Sequence, residues 1–375
     1  MQNLIFHLQH SKNSIDKVSK KSKIPVERLQ SIIENKSVAS LSEVRRLSAV
    51  FDKSVSFLLS ENDKFDEINV LFRDAIGERN ADFFSGQFSY FIGNSIDLLE
   101  GENLLELFQK TFPRVENNLE GAEYLSSLFR LKFFNNDQVS PILNLPEILS
   151  QELRIIVHIK ELGNSVDGAS AIVQGIPFIF VSPRHSTRML FTLAHELGHI
   201  LSHHLESGNY AKFDKEIKLN LTDKSRKKEE FFSNAFASAL LLPKAGVGIT
   251  LKKIRERRNI LDDNIGDAEI LLLSRIYGVS FEVAGRRCED LGLFPKGSTH
   301  SLYSEIKKDY GSPEKRADEL GLPKRPAVNF PKVSRHLVDS AINKISKGQL
   351  SIGKASEILS IPVRDLMFHN APYNA

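Results

Sequence analysis

Tryptophan is absent from this chain of 375 residues, methionine occurs three times and cysteine once, as Cys288. A single thiol excludes an intramolecular disulfide and any zinc finger built on several cysteines, and it fits a reducing compartment. Long hydrophobic runs are also missing: no stretch approaches the roughly 20 apolar residues that cross a bilayer. The N-terminal MQNLIFHLQHSKN lacks the apolar core of a secretory signal. These absences lead us to expect a cytoplasmic protein with no membrane partner. Net charge is small as well, 50 Lys and Arg against 47 Asp and Glu, or +3. It is unevenly placed: residues 1–60 hold ten Lys and Arg against five Asp and Glu, a net of +5. A basic end segment on a near-neutral chain suggests a nucleic-acid contact, although a solvated basic face has the same composition.

What is present divides the chain into four expected segments: 1–62, 63–149, 150–295 and 296–375. In the first, Ser14 is placed to cap IDKVSKKS, Pro25 to open PVERLQSIIENK, and Ser42 to cap EVRRLSAVFDKSVSFLL. The second is helical and rich in phenylalanine, which serves packing. Character changes near residue 150, where RIIVHIKE, ASAIVQG and IPFIFVSP are β-branched or aromatic runs separated by turn residues. Two helices follow, at about 186–203 and 226–242, the second stopped by Pro243, with a polar loop between them. The expected fold class is mainly α with a small β-sheet (α+β).

An internal echo links the two ends. SIDKVSKKSKIPVERL (14–29) and SIGKASEILSIPVRDL (351–366) share eight of sixteen residues without a gap. Each reads as a short helix, a turn and a Pro-started helix, the layout of a helix-turn-helix. The later copy lies in a helical segment at 332–369. In the more basic N-terminal copy, Arg28, Gln30, Ser31 and Lys36 are the candidates for DNA contact.

The chemistry concentrates in TLAHELGHILSHH (192–204). His195 and His199 are four apart, so on a helix both imidazoles reach one ion, while Glu196 is offset enough to contact a water beside it. This H-E-x-x-H pattern suits Zn2+, which takes neutral imidazole and carboxylate in a tetrahedral shell with one open position. Gly198 reads as leaving room beside the ion. A continuation with Gly and His fails, since those positions hold Ser202 and Leu205. His203 and His204 read as capping the helix end. The third ligand is then a carboxylate on the next helix, where Glu229 and Glu230 both qualify. Glu230 is preferred because Asn234 follows one turn later, placed to orient a metal-bound histidine. Glu196 is the expected general base. His185, Arg188, His203 and Tyr210 are candidates for stabilising an oxyanion or touching substrate, and IPFIFVSP for the edge strand along which substrate lies. Cys288 reads as a small buried hydrophobe.

Two longer patterns carry a resemblance. R-x-x-F-T-L-A-H-E-L-G-H, from Arg188 to His199, and E-x-x-[AS]-N-x-F-A-x-x-L-L-x-P, from Glu230 to Pro243, are similar to the ImmA/IrrE family of bacterial zinc metallopeptidases. Asp167-Gly-Ala-Ser170 and YGVSFEVAGRRCEDLGL fit the same layout. Ser233 stands where alanine is commoner in the family, a small change expected to leave the site undisturbed. The first 60 residues resemble the XRE-type helix-turn-helix that often precedes such a peptidase, with Ile15 where glutamine is frequent and no glycine near Lys36. The resemblance implies a zincin-like core flanked by helical domains, a zinc cofactor, and a protein substrate: a helix-turn-helix repressor encoded nearby, cleaved to release a mobile element, stress response or defence system. Two other readings share these residues: a DNA-binding regulator whose zinc domain senses a signal, and a toxin–antitoxin component.

Overall fold

The computed structural model describes residues 2–9, 14–51, 55–59, 81–99, 104–162, 166–203, 210–215, 224–261 and 264–367. The chain forms two compact units, residues 1–100 with 340–375, and residues 101–339. The first begins with α1 (Gln2–Gln9), α2 (Ile15–Ser22), α3 (Val26–Ile33), α4 (Leu41–Phe51), α5 (Val55–Leu59) and α6 (Ala81–Leu98). The second holds α7 (Leu105–Thr111), α8 (Leu119–Phe133), α9 (Leu145–Gln151), β1 (Ile156–Ile159), β2 (Val166–Val173), β3 (Ile176–Val181), α10 (Ser186–His203), β4 (Tyr210–Lys215) and α11 (Lys224–Leu241). It continues through α12 (Lys244–Arg258), α13 (Asp267–Tyr277), α14 (Phe281–Asp290), α15 (Ser298–Tyr310) and α16 (Pro313–Glu319). After α17 (Arg335–Ser346) the chain completes the first unit with α18 (Ile352–Leu359) and α19 (Val363–Met367). The fold is mainly helical with one small sheet, the α+β class expected.

In the first unit, α1 to α5 bury Leu4, Val18, Leu29, Val44, Leu47 and Leu58 around one core. The third expected helix starts earlier than Ser42. Ser40 precedes it, and Glu43 accepts from the Ser40 backbone N–H at 2.7 Å while the Ser40 hydroxyl faces the Glu43 N–H at 3.3 Å. That reciprocal S-x-x-E box explains the shift by two residues.

The echo at the two ends is structural. α2 ends at Lys23 with φ 56° and α18 at Ser360 with φ 54°, the same left-handed step at matching positions. Ser19 donates to the Ile24 carbonyl at 2.6 Å, and Ser356 to the Ile361 carbonyl at 2.7 Å. The C-terminal copy rests on α6 through Tyr90, whose hydroxyl donates to Glu357 at 2.9 Å and accepts from Lys354 at 2.6 Å.

In the second unit the sheet order is β1-β3-β2-β4. β2 and β3 form a hairpin across Gln174 and Gly175, both left-handed at φ 50° and 77°, which gives the two-residue turn whose twist matches the strands. β1 runs parallel to β3. Two sequence expectations are corrected here. IPFIFVSP supplies β3, an interior strand paired on both sides, so it offers no free edge. The stretch between the two long helices, read as a loop, contributes β4, antiparallel to β2. The outer side of β1 is covered, since Ile159 donates to the Lys332 carbonyl and Ser334 to that of Val157, both at 2.8 Å.

α10 and α11 pack on each other and α10 lies on β2, burying Leu193, Leu197, Phe232 and Phe236 in one core with α8 and α14. A Cβ on Gly198 would stand 3.1 Å from Ser233 Cα and 3.2 Å from Phe236. This glycine therefore permits close approach of α11, and it does not open space beside an ion. Two buried arginines hold the far end of α11. Arg130 donates from Nε and Nη2 to the Leu240 carbonyl at 2.9 and 2.6 Å, and from Nη1 to Asp137 and Ser140 carbonyls at 2.8 and 3.0 Å. Arg287 donates to the Leu242 carbonyl at 2.8 Å and pairs with Glu123.

Candidate metal centre

α10 presents its apolar stripe to the core and carries three titratable side chains into it. His195, Glu196 and His199 are 1%, 0% and 0% exposed. Buried charge and imidazole on an apolar helix are costly unless something in the site uses them. α11 crosses next to them and brings Glu230, Ser233 and Asn234 to the same place. His195 Nε2 lies 3.3 Å from Glu230 Oε2, His199 Nε2 lies 3.6 Å from Glu230 Oε1, and the two Nε2 atoms are 3.0 Å apart. One donor atom from each of the three residues falls within 4.8 Å of the others.

That triangle can be tested against an ion. Ligands about 2.0 to 2.1 Å from one zinc in a tetrahedral shell stand about 3.3 Å from each other. The three observed distances bracket that value, the two to Glu230 running to different carboxylate oxygens, and the donors are the imidazole and carboxylate types that zinc takes. The residues present fit the ion. Glu229 is outside this group, so between the two adjacent glutamates the geometry brings Glu230 to the histidines.

The outer nitrogens of both rings face α11. His195 Nδ1 is 3.1 Å from Asn234 Oδ1, and His199 Nδ1 is 3.0 Å from Ser233 Oγ. Sequence reading reached Asn234 but passed over Ser233, treated as a neutral replacement. The signal that could have found it is helical: residues 230, 233 and 234 are three and four apart and share one face.

Glu196 points from α10 to β2. A Cβ on Gly168 would overlap the Glu196 carboxylate and stand 2.6 Å from the Thr192 methyl carbon. Gly168 thus clears the volume that the carboxylate fills. Its neighbour Asp167, 4% exposed, pairs with Arg188 through Nε at 2.8 Å and through Nη2. Arg188 is therefore tied to β2, with about half its side chain in solvent. His185 is exposed and sits 3.0 Å from the Thr187 hydroxyl. The side chains of His203 and Tyr210 lie outside the described residues, as do all of His204 and the segment 216–223.

Away from this centre, the N-terminal candidates separate into two pairs. Arg28 lies within the first unit's fold, bonded to Glu43 at 2.8 Å, to the Ser37 hydroxyl at 2.6 Å and to the Val38 carbonyl at 2.9 Å. That guanidinium holds the Glu43 carboxyl down at about 2. Ser31 is bonded to Ser37 at 2.8 Å. Gln30 and Lys36 are exposed, with Lys36 paired to Glu34 at 2.5 Å. Cys288 is buried, and burial pushes its thiol up to about 12, so it stays protonated and inert.

Residues 150–289 match the family model for the peptidase M78, IrrE N-terminal-like domain. The match includes His195, Glu196, His199, Glu230, Ser233, Asn234 and the strand that carries Gly168. No curated protein matches the chain.

Proposed function

We propose that the peptidase M78 domain at residues 150–289 is a zinc-dependent endopeptidase, and that its substrate is a protein, a helix-turn-helix transcriptional repressor encoded nearby. The observation that carries the reading is the convergence of two imidazoles and one carboxylate from crossing helices, with a second buried carboxylate, Glu196, against the sheet beside them. His195, His199 and Glu230 would hold the ion. A bound zinc supplies Lewis acidity and lowers the pKa of water from about 16 toward about 7. Glu196, one position after His195, is placed to take a proton from the attacking water and return it to the leaving amine. Gly168 gives that carboxylate its room. Asn234 orients His195 by accepting from its Nδ1.

Substrate orientation belongs to the sheet. Among the described residues β4 has no partner on its outer side, and it pairs directly with β2, the strand whose Gly168 faces Glu196. An extended peptide added there gains main-chain hydrogen bonds. The N-terminal module would bring the enzyme to its target. Gln30 and the Lys36–Glu34 pair lie at its surface, where a nucleic-acid or protein partner would meet them, whereas Arg28 and Ser31 are bonded within the module.

Incubating the purified full chain with the product of the adjacent repressor-like gene, with and without a chelator, tests the proposal. Cleavage that the chelator abolishes and zinc restores is the expected result. Zinc-replete protein that leaves the repressor intact would defeat the substrate assignment. A gel shift with the full chain tests nucleic-acid binding separately.

A further inference from the structure

We infer that Ser233 is a positioning residue for the metal ligand His199, its hydroxyl oxygen accepting from the imidazole Nδ1–H and so presenting Nε2 to the ion. The inference rests on the metal-site reading above and assigns a role to Ser233, which the sequence alone presents as a neutral replacement.

Three observations support it. The Ser233 hydroxyl is fully buried and 3.0 Å from His199 Nδ1, itself fully buried. The other ring nitrogen, Nε2, faces Glu230 and His195. An imidazole binds a cation through an unprotonated nitrogen, so the proton of a ligating His199 belongs on Nδ1, where the hydroxyl oxygen is the acceptor.

Next, Ser233 and Asn234 are consecutive and serve different rings. Successive helical residues point about 100° apart, and the two imidazoles stand at 81° to each other with centroids 4.7 Å apart. Pointing apart, the two neighbouring side chains each meet a different ring, Asn234 that of His195 and Ser233 that of His199. One oxygen acceptor is provided for each ring.

The third observation is steric. Gly198, one residue before His199, lets α10 approach Ser233 more closely than a side chain would allow, as a Cβ there would lie 3.1 and 3.4 Å from Ser233 Cα and Cβ, the first tighter than ordinary contact. The hydroxymethyl group is a small side chain that fills this approach and also carries an acceptor. Alanine would fill it and leave the imidazole without that oxygen. Partners of this kind typically change metal affinity by about 10- to 100-fold.

The test uses the full-length chain and zinc itself. Competition against a chelator of known affinity measures zinc binding by the wild type, Ser233→Ala and Asn234→Ala. Long-range nitrogen–proton NMR on histidine-labelled, zinc-loaded wild type reads the tautomer of each ring. We expect Ser233→Ala to bind zinc about tenfold more weakly with an unchanged fold. The loaded wild type should show His199 protonated at Nδ1, and the variant should lose protection of that proton while His195 keeps its own. Equal zinc affinity in Ser233→Ala, or a loaded wild type whose His199 carries its proton on Nε2, overturns the inference. Should the variant fail to fold, the wild-type tautomer decides alone. A wild type that binds no zinc refutes the metal-site reading itself, and the inference falls with it.

Discussion

Glu196 and Gly168 share one small volume from opposite sides, and that contact makes residue-scale predictions separable. Glu196→Gln keeps shape and ligands, so zinc content should persist while peptide hydrolysis falls by at least about 100-fold; metal analysis beside a cleavage assay checks it, and full activity would remove the proton-transfer role. Gly168→Ala should reduce hydrolysis by pushing the carboxylate aside, again with zinc retained. Glu230→Ala should lower zinc content and Glu229→Ala should not, read by metal analysis of the two proteins. The histidine pair is legible in sequence because i and i+4 define one helical face whatever surrounds the helix. Glu230 is legible only through Asn234, one turn on. Ser233 is legible only as a position, one turn from Glu230 on the same helical face; what its hydroxyl does shows only once His199 is seen 3.0 Å away. Gly198 was read as space near the ion, and only the crossing of α10 and α11 shows that it makes room for a neighbouring backbone.

At the scale of elements, long periodic helices announce themselves and strands depend on their neighbours. α10 lies where its stripe of Leu, Ala and Ile puts it, and α11 ends at the proline that stops it. β4 was hidden because YAKFDK carries charge along its length, which is how an edge strand is protected from unwanted pairing and also how a loop reads. The interior position of β3 follows from its parallel pairing with β1, between residues 22 apart in sequence such as Ile156 and Phe178, which periodicity does not encode. The buried arginines make a further prediction. Burial pushes Arg130 down to about 10, yet its donors are taken by three backbone carbonyls at the end of α11 and beyond α8. Arg130→Met should destabilise the second unit by about 3 kcal/mol, since those carbonyls lose a charged donor. A thermal melt should show the loss, and an unchanged midpoint would mean the carbonyls find other partners at no cost.

For the whole molecule, the division into units differs from the four segments expected along the chain. α8 falls in the expected connecting region, but its Leu125 and Phe129 pack in the core that holds α10 and α11. The C-terminal echo joins the N-terminal unit. Sequence order alone separates what burial brings together. Acid should affect the units in different windows. Burial, with Lys160 and Lys332 nearby, lowers His158 to about 3, and burial lowers His336 to about 4. An unfolded chain binds protons at these histidines near pH 6.5, so their contribution is complete above that pH and is lost as pH falls toward 4 and 3. Glu43, lowered chiefly by Arg28, keeps its contribution above its ordinary 4.5 and loses it toward about 2. The stability of the second unit should therefore fall from about pH 6.5 downward, with His336→Gln reducing the slope, while the first unit holds until below about 4.5. Melts followed by probes in each unit would check the order.

The central claim is that two rings from α10 and one carboxylate from α11 form a single ion site. Zinc stoichiometry and affinity, titrated on the full chain beside His195→Ala, His199→Ala and Glu230→Ala, tests it most directly. One equivalent of tightly bound zinc in the wild type, weakened severely in all three variants, is the predicted result. Zinc binding that survives unchanged in any one of them would contradict it.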